Sequence, residues 1–262
     1  MPEGDTIWRT ARALDTALAG RRVKRLETSR PNLLARSPSL TGRLVLGAEA
    51  IGKHLLLSFE GGLALHTHLG MRGAWYVRHA AGAARRPEAG SALRLDAEDV
   101  IAICARPLLA ELLTDAELRR NQALRRLGPD AAREGFDRRE ALARLRAQAD
   151  REIGVALVDQ SVLAGVGNVY KSELLFRAGL DPRARVGDLD DGALDALLAD
   201  ASRLLRANLE RGVRRTSSRL SGSALAVYGR PGRACPRCGT TLRRLRQGAA
   251  RRFTDYCPSC QR

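Results

Sequence analysis

Cys235-Pro-Arg-Cys238 and Cys257-Pro-Ser-Cys260 are two C-x2-C knuckles, separated by 18 residues and crowded into the last 28 of a 262-residue chain. That spacing belongs to a four-thiolate structural zinc site, and it obliges the segment between the knuckles to return on itself as a hairpin closed by metal. Two disulfides are the alternative, but a bond within a C-x2-C pair closes a strained ring. With all four ligand positions filled by protein, one zinc ion would be structural and no position is left for water. The fifth cysteine, Cys104, sits on an apolar strand and reads as core. Between the knuckles stand Arg243, Arg244, Arg246, Arg251 and Arg252, so the hairpin either presents a basic turn to an anion or is merely a solvated charged one.

Charge favours the first reading. Lys and Arg total 45 against 29 Asp and Glu, a net charge of +16, which points to a polyanion: nucleic acid before an anionic membrane surface. No run approaches the roughly 20 apolar residues of a spanning helix, and acids at positions 3 and 5 stand where a signal peptide needs basic residues. A cytoplasmic protein is expected, in a compartment that keeps thiols reduced. Only Lys24, Lys53 and Lys171 among the 45 cations are lysines, which makes each worth inspecting.

The spacing of Ile7, Trp8, Ala11, Leu14 and Leu18 predicts a helix over 5–19, with Asp5 as N-cap and Gly20 as stop. Residues 21–28 and 43–105 read as short apolar or alternating strands, hence an antiparallel sandwich or barrel. Beyond about 119 the chain turns Arg-, Gly- and Pro-rich and then helical, over 137–149, 153–160, 168–179 and 193–211. The fold class expected is α+β. We divide it into a domain of helix and β-sandwich (1–118), a linker (119–136), a helical domain (137–228) and a zinc module (229–262).

Five features, in order, resemble the formamidopyrimidine-DNA glycosylase and endonuclease VIII family, and they span nearly the whole chain. Pro2-Glu3-Gly4 looks like the family's N-terminal nucleophile. Gly52-Lys53-His54-Leu55-Leu56 is similar to the strand bearing its lysine, and His68-Leu69-Gly70-Met71-Arg72-Gly73 to the loop that fills the void left by a flipped base. QSVLAGVGNVYKSE, residues 160–173, is nearly its helix-two-turn-helix signature, and Val227-Tyr228-Gly229-Arg230 matches the approach to its zinc finger. The resemblance implies an N-terminal helix on a β-sandwich, a helix-two-turn-helix domain with a zinc-finger hairpin, and DNA bound across them. It also implies a bacterial, nucleoid-associated monomer.

Cutting a base from its sugar requires a group that traps the electron-poor C1′ carbon. Loss of Met1 would give Pro2 a free amine, and α-amino groups near pKa 7.7–8.0 hold far more free base than a lysine near 10.4. The positive end of the first helix favours the neutral amine further. By the same resemblance Glu3 is the general acid/base, Lys53 stabilises charge on the sugar-phosphate and shuttles a proton, and Asn168 and Arg252 clamp phosphates. Lys171 supports that clamp or faces solvent. Met71 is the wedge, with Arg72 beside it, or else a core methionine; flipping costs a few kcal/mol, so something must fill the hole.

The chain departs from the family at Asp5-Thr6, where a second proline and glutamate usually stand. CARPLLAEL, residues 104–112, lacks the Arg-Phe pair of the purine-specific branch, and residues 213–223 offer no clear lid over a large oxidised purine. These tilt the reading to the endonuclease VIII side and oxidised pyrimidines in duplex DNA, with single-stranded or bubble DNA as further substrates. The expected chemistry is a Schiff base followed by β,δ-elimination. The alternatives are an oxidised-purine glycosylase of the same family, an inactive damage-binding protein, which intact Pro2, Glu3 and Lys53 oppose, and a zinc-ribbon protein of ribosome or transcription, which leaves the first 210 residues unexplained.

Overall fold

The computed structural model describes residues 2–79, 91–217 and 223–262. It divides into two compact units, Met1–Arg125 and Arg126–Arg262.

In the first unit α1 (Gly4–Leu18) precedes β1 (Val23–Thr28), the short α2 (Pro31–Leu34), and then β2 (Val45–Ile51), β3 (His54–Phe59), β4 (Leu63–His68) and β5 (Ala74–His79). There follow β6 (Ser91–Ala97), β7 (Val100–Ala105), β8 (Leu109–Thr114) and the short helices α3 (Asp115–Arg120) and α4 (Gln122–Arg125). Two antiparallel sheets result, in the orders β1-β6-β7-β5 and β2-β3-β4-β8. Alternation decides their inner faces: Leu93, Leu95 and Ala97, then Val100, Ala102 and Cys104, meet Leu55, Leu57, Phe59, Ala110 and Leu112 in one core. Cys104 is therefore core as its surroundings in sequence suggested, and burial pushes its thiol up to about 12.

Helix α1 adds Ile7, Ala11, Leu14 and Leu18 to the same core, four positions on one helical stripe. It runs along β2 and reaches β5, the edge strands of the two sheets, and so covers one side of the sandwich. Asp5 is not its N-cap. Glu3 takes that place, its carbonyl accepting from Thr6 N at 2.9 Å and Ile7 N at 3.0 Å, while Asp5 is buried in the first turn against Arg9.

The second unit contains α5 (Arg138–Arg146), α6 (Ile153–Ala156), α7 (Asn168–Ala178), α8 (Asp191–Ala207) and the hairpin of β9 (Arg243–Gln247) with β10 (Arg252–Tyr256). The helices read at 153–160 and 193–211 are shorter than their apolar pattern, because Leu157 begins a turn series and Asn208 closes α8 through its own side chain onto Leu204 O. Helix α7 is buried on every side over Val169–Phe176, hence its weak amphipathicity in sequence. It stops at Gly179, whose φ of +73° is the left-handed C-terminal stop. No helix among the described residues is long and apolar enough to cross a membrane.

Candidate active site and metal centre

Two hydrogen bonds fix α1 antiparallel to β2: Ala48 N donates to Asp15 Oδ1 and Gly20 N to Val45 O, both at 2.9 Å. From Asp15 back to Glu3 the helix covers 12 residues, about 18 Å at 1.5 Å each. From Ala48 the strand runs the same way for 3 residues to Ile51, about 10 Å at 3.3 Å each, and the Gly52–Lys53 turn follows it. Pro2, Glu3 and Lys53 are thereby carried to the same end of the unit. Pro2 is half-buried, Glu3 fully buried and Lys53 half-buried.

Lys53 sits with Gly52 in a two-residue hairpin loop between paired Ile51 and His54, and Gly52 supplies the positive φ, +58°, that such a loop needs at its first position. His54 pairs in turn with His68 on β4, and His68 with Leu109 on β8. The turns 69–73 and 106–108 therefore open at this end too. Met71 is 75 % exposed, which excludes the core alternative, and Arg72 beside it is exposed. Gly73 is packed so closely that a side-chain carbon there would lie 2.4 Å from Leu69 O and 3.0 Å from Arg106 O.

The neighbour of this turn has no local signal in the sequence. Leu108 is 71 % exposed, lies against Gly70, and is held by its own N–H on His68 O at 2.8 Å. Arg106, exposed two residues earlier, adopts φ +45°, a left-handed conformation that a bulky residue keeps only where the surroundings impose it. The Arg-Pro-Leu run stands in the sequence, but nothing local to it distinguishes an exposed leucine from a core one.

In the second unit the turn 160–168 is tied by Gln160, whose Nε2 donates to Val158 O and Val166 O and whose Oε1 accepts from Gly165 N. It delivers Asn168 as the first residue of α7, with its Oδ1 buried and lacking a hydrogen-bond partner among the described residues. Lys171 does not face solvent. It is fully buried, and its Nζ donates to Phe253 O at 3.1 Å, fastening β10 to α7. Ser172 Oγ adds a second tie, accepting from Asp255 N. Arg252 is exposed at the start of β10 and shares a cavity of about 250 Å³ with Lys171, Arg151, Asp159 and Gln247. Burial pushes the Asp159 carboxyl up, but hydrogen bonds from Ser161, Arg151 and Gln148 outweigh it and hold the group down at about 2.

The four cysteines of the two knuckles place their sulfurs within 4.8 Å of one another. Cys235 and Cys260 lie 3.9 Å apart and Cys238 and Cys257 3.5 Å, far beyond a disulfide and near the ~3.8 Å edge of a tetrahedron with metal–sulfur bonds of about 2.3 Å. The cage is a metal-binding centre in form. Glu173, fully buried on α7, holds the chain leading into it: Oε1 accepts from Val227 N and Tyr228 N, Oε2 from Ala226 N, each at 2.8 Å, and Oε2 also from Thr216 Oγ1.

Two family models match the chain: the formamidopyrimidine-DNA glycosylase N-terminal domain over residues 1–105, and the formamidopyrimidine-DNA glycosylase H2TH domain over 127–219. A probable endonuclease 8 2 of Streptomyces coelicolor is 44 % identical over 100 % of this chain and 94 % of its own length. The DNA-(apurinic or apyrimidinic site) lyase Nei2 of Mycolicibacterium smegmatis is 38 % identical over 100 % of this chain and 99 % of its own. Among solved structures, a Lactococcus lactis Fpg in complex with abasic-site DNA superposes with a TM-score of 0.85 at 25 % identity, covering 100 % of both chains. An α+β chain with this order of helix, sandwich, H2TH helices and cysteine hairpin, matched end to end by such relatives, belongs to the formamidopyrimidine-DNA glycosylase/endonuclease VIII family of DNA-repair glycosylases with AP lyase activity, on its endonuclease VIII-like branch.

Proposed function

We propose that this chain removes oxidised bases, pyrimidines in preference, from flipped nucleotides of duplex DNA, using the amine of Pro2 once Met1 is cleaved. The Pro2 nitrogen attacks C1′, the glycosidic bond breaks with its electron pair leaving on the base, and the base takes up a proton. The sugar ring then opens to an iminium ion. Loss of a C2′ proton expels the 3′ phosphate, a second elimination expels the 5′ phosphate, and water releases the amine. Glu3 moves protons at the sugar and Lys53 offsets phosphate charge and relays a proton. The observation that carries the reading is the convergence of the α1 start, the Gly52–Lys53 loop and the Met71 turn at one end of the first unit. Residues 218–222, within the loop read as giving no lid, lie outside the described residues.

In the second unit Asn168 and Arg252 grip phosphates, with Lys171 fixing the strand that bears Arg252. The thiolate set suits one zinc ion held by Cys235, Cys238, Cys257 and Cys260, which closes the hairpin. We further read the protein as a cytoplasmic, nucleoid-associated monomer that also accepts single-stranded or bubble DNA. In this reading it is organised as 1–118 catalytic, 119–136 linker, 137–228 DNA-binding and 229–262 zinc finger. Borohydride reduction of a mixture with abasic-site duplex tests the nucleophile: a covalent adduct is expected with Pro2 N-terminal, and Pro2→Gly should lose most of it while keeping DNA affinity. No adduct from verified Pro2-terminal protein would refute the mechanism.

A further inference from the structure

Three of the four histidines in the chain, His54, His66 and His68, fall on adjacent strands β3 and β4, on the sheet face turned away from the sandwich core. Two of them form a chain with a carboxyl group. His54 Nδ1 lies 2.8 Å from His66 Nε2, and His66 Nδ1 lies 2.8 Å from Glu111 Oε1 on β8. Asn121 Nδ2 donates to the same Oε1 at 2.9 Å. His66 is fully buried and His54 nearly so. The chain ends one residue from Lys53.

Hydrogen-bond logic fixes its direction. A carboxylate only accepts, so His66 carries its proton on Nδ1; neutral His66 then accepts at Nε2, and His54 must donate from Nδ1. His54 Nε2 is left with a lone pair. A proton added at His66 would reverse this, turning Nε2 of both rings into donors. Burial, followed by the neighbouring His66, His68 and Lys53, holds His54 neutral, its pKa pushed down to about 3. His68 is lowered by burial, Lys53 and His66. The charged or titratable groups acting on His54 are thus His66 and His68 of β4 and Lys53 of its own turn, with Glu111 reaching it through His66.

We propose that Glu111, His66 and His54 are positioning residues for the reaction, a tautomer-setting relay that presents the His54 Nε2 lone pair as the acceptor that orients the Lys53 ammonium. The proposal rests on the role of Lys53 given under the proposed function. It adds what holds that cation in place, and why a histidine rather than another apolar residue follows it on the strand. Without the relay His54 can take the other tautomer and turn an N–H towards the cation. The acceptor would then become a repelling donor.

Two measurements separate this proposal from the glycosylase reading. Long-range nitrogen–proton NMR at pH 7 should show both His54 and His66 protonated at Nδ1; a His54 protonated at Nε2 would overturn the relay. Selective 13C-lysine labelling gives three Cε signals, assignable with single Lys→Arg variants because the chain has three lysines. In His66→Leu and His54→Phe the Lys53 pKa should fall by about one unit, the size of one lost charge-assisted hydrogen bond, while His54→Gln, which keeps an acceptor, should restore most of it. An unmoved Lys53 titration in both variants would overturn the proposal even if wild-type protein forms no borohydride adduct, the outcome that sinks the mechanism instead. With adduct formation present, His66→Leu should slow trapping about ten-fold, shift its pH profile and leave DNA affinity unchanged. Wild-type rate and profile in that variant would also refute the relay.

Discussion

Replacing Glu173 with Gln tests what holds the second unit's cysteine hairpin in place. The Glu173 carboxyl group is wholly buried on α7 and accepts four hydrogen bonds, two on each oxygen: Val227 N and Tyr228 N on Oε1, Ala226 N and Thr216 Oγ1 on Oε2. Glutamine has the same shape but one accepting oxygen. With its NH2 towards Val227 and Tyr228 two backbone donors are opposed, but with its NH2 towards Ala226 and Thr216 the hydroxyl can turn to accept it and only Ala226 N is left without an acceptor. The amide adopts the second orientation, so at about 1–3 kcal/mol for one buried donor left unsatisfied the loss should be about 1–3 kcal/mol. At about 3 °C per kcal/mol this is a drop of about 3–9 °C in the melting temperature of the second unit. Both tryptophans, Trp8 and Trp75, lie in the first unit, whereas α5, α7 and α8 lie in the second. Circular dichroism at 222 nm should therefore register the early transition, with tryptophan fluorescence as internal control. Loss of less than 1 kcal/mol, or a fluorescence midpoint that falls as far as the helical one, would refute the argument that this carboxyl organises residues 226–228.

Three further outcomes are expected. Chelation, or Cys257→Ser, should reduce bound metal from one ion per chain to none by elemental analysis and weaken DNA binding at least ten-fold through disorder of the Arg252 hairpin; undiminished binding after verified metal loss would count against the clamp. Arg252→Ala should leave stability within about 0.5 kcal/mol and lower the salt slope of DNA binding by about one, whereas Lys171→Met should destabilise the second unit, a contrast read by titration at several salt concentrations and by thermal melts. Because His54 is held down at about 3 against an ordinary 6.5, the unfolded chain binds its proton first as pH falls. Stability from this group is therefore complete above about 6.5 and is lost towards pH 3, at up to about 1.4 kcal/mol per pH unit. The wild-type-minus-H54Q stability difference in urea unfolding should fall as pH drops from 7 to 4.5, and a flat difference would remove His54 as the cause.

Elements with a strong periodic signal were legible from sequence: the α1 stripe Ile7, Ala11, Leu14 and Leu18, and the alternation of Leu55, Leu57 and Phe59, encode a buried side through spacing alone. Asp5 was misread as a cap because a carboxylate at a helix start suits both the cap and the first turn. Only the fold assigns Glu3 to one and Asp5 to the other. Lys171 shows the same limit, since the sequence leaves it either supporting the phosphate clamp or facing solvent, and only packing supplies Phe253 O as its partner.

The sequence by itself determined the cysteine cage, the nucleic-acid-seeking charge and the family, because each resides in residue type and near spacing. The gathering of Pro2, Lys53, Met71 and Leu108 at one end of the sandwich was decided by strand register and the antiparallel docking of α1. So was the line from Glu111 through His66 to His54, whose members are 12 and 45 residues apart in the chain. Contacts at such separations arise from the pairing of whole strands, which no local pattern of side chains records.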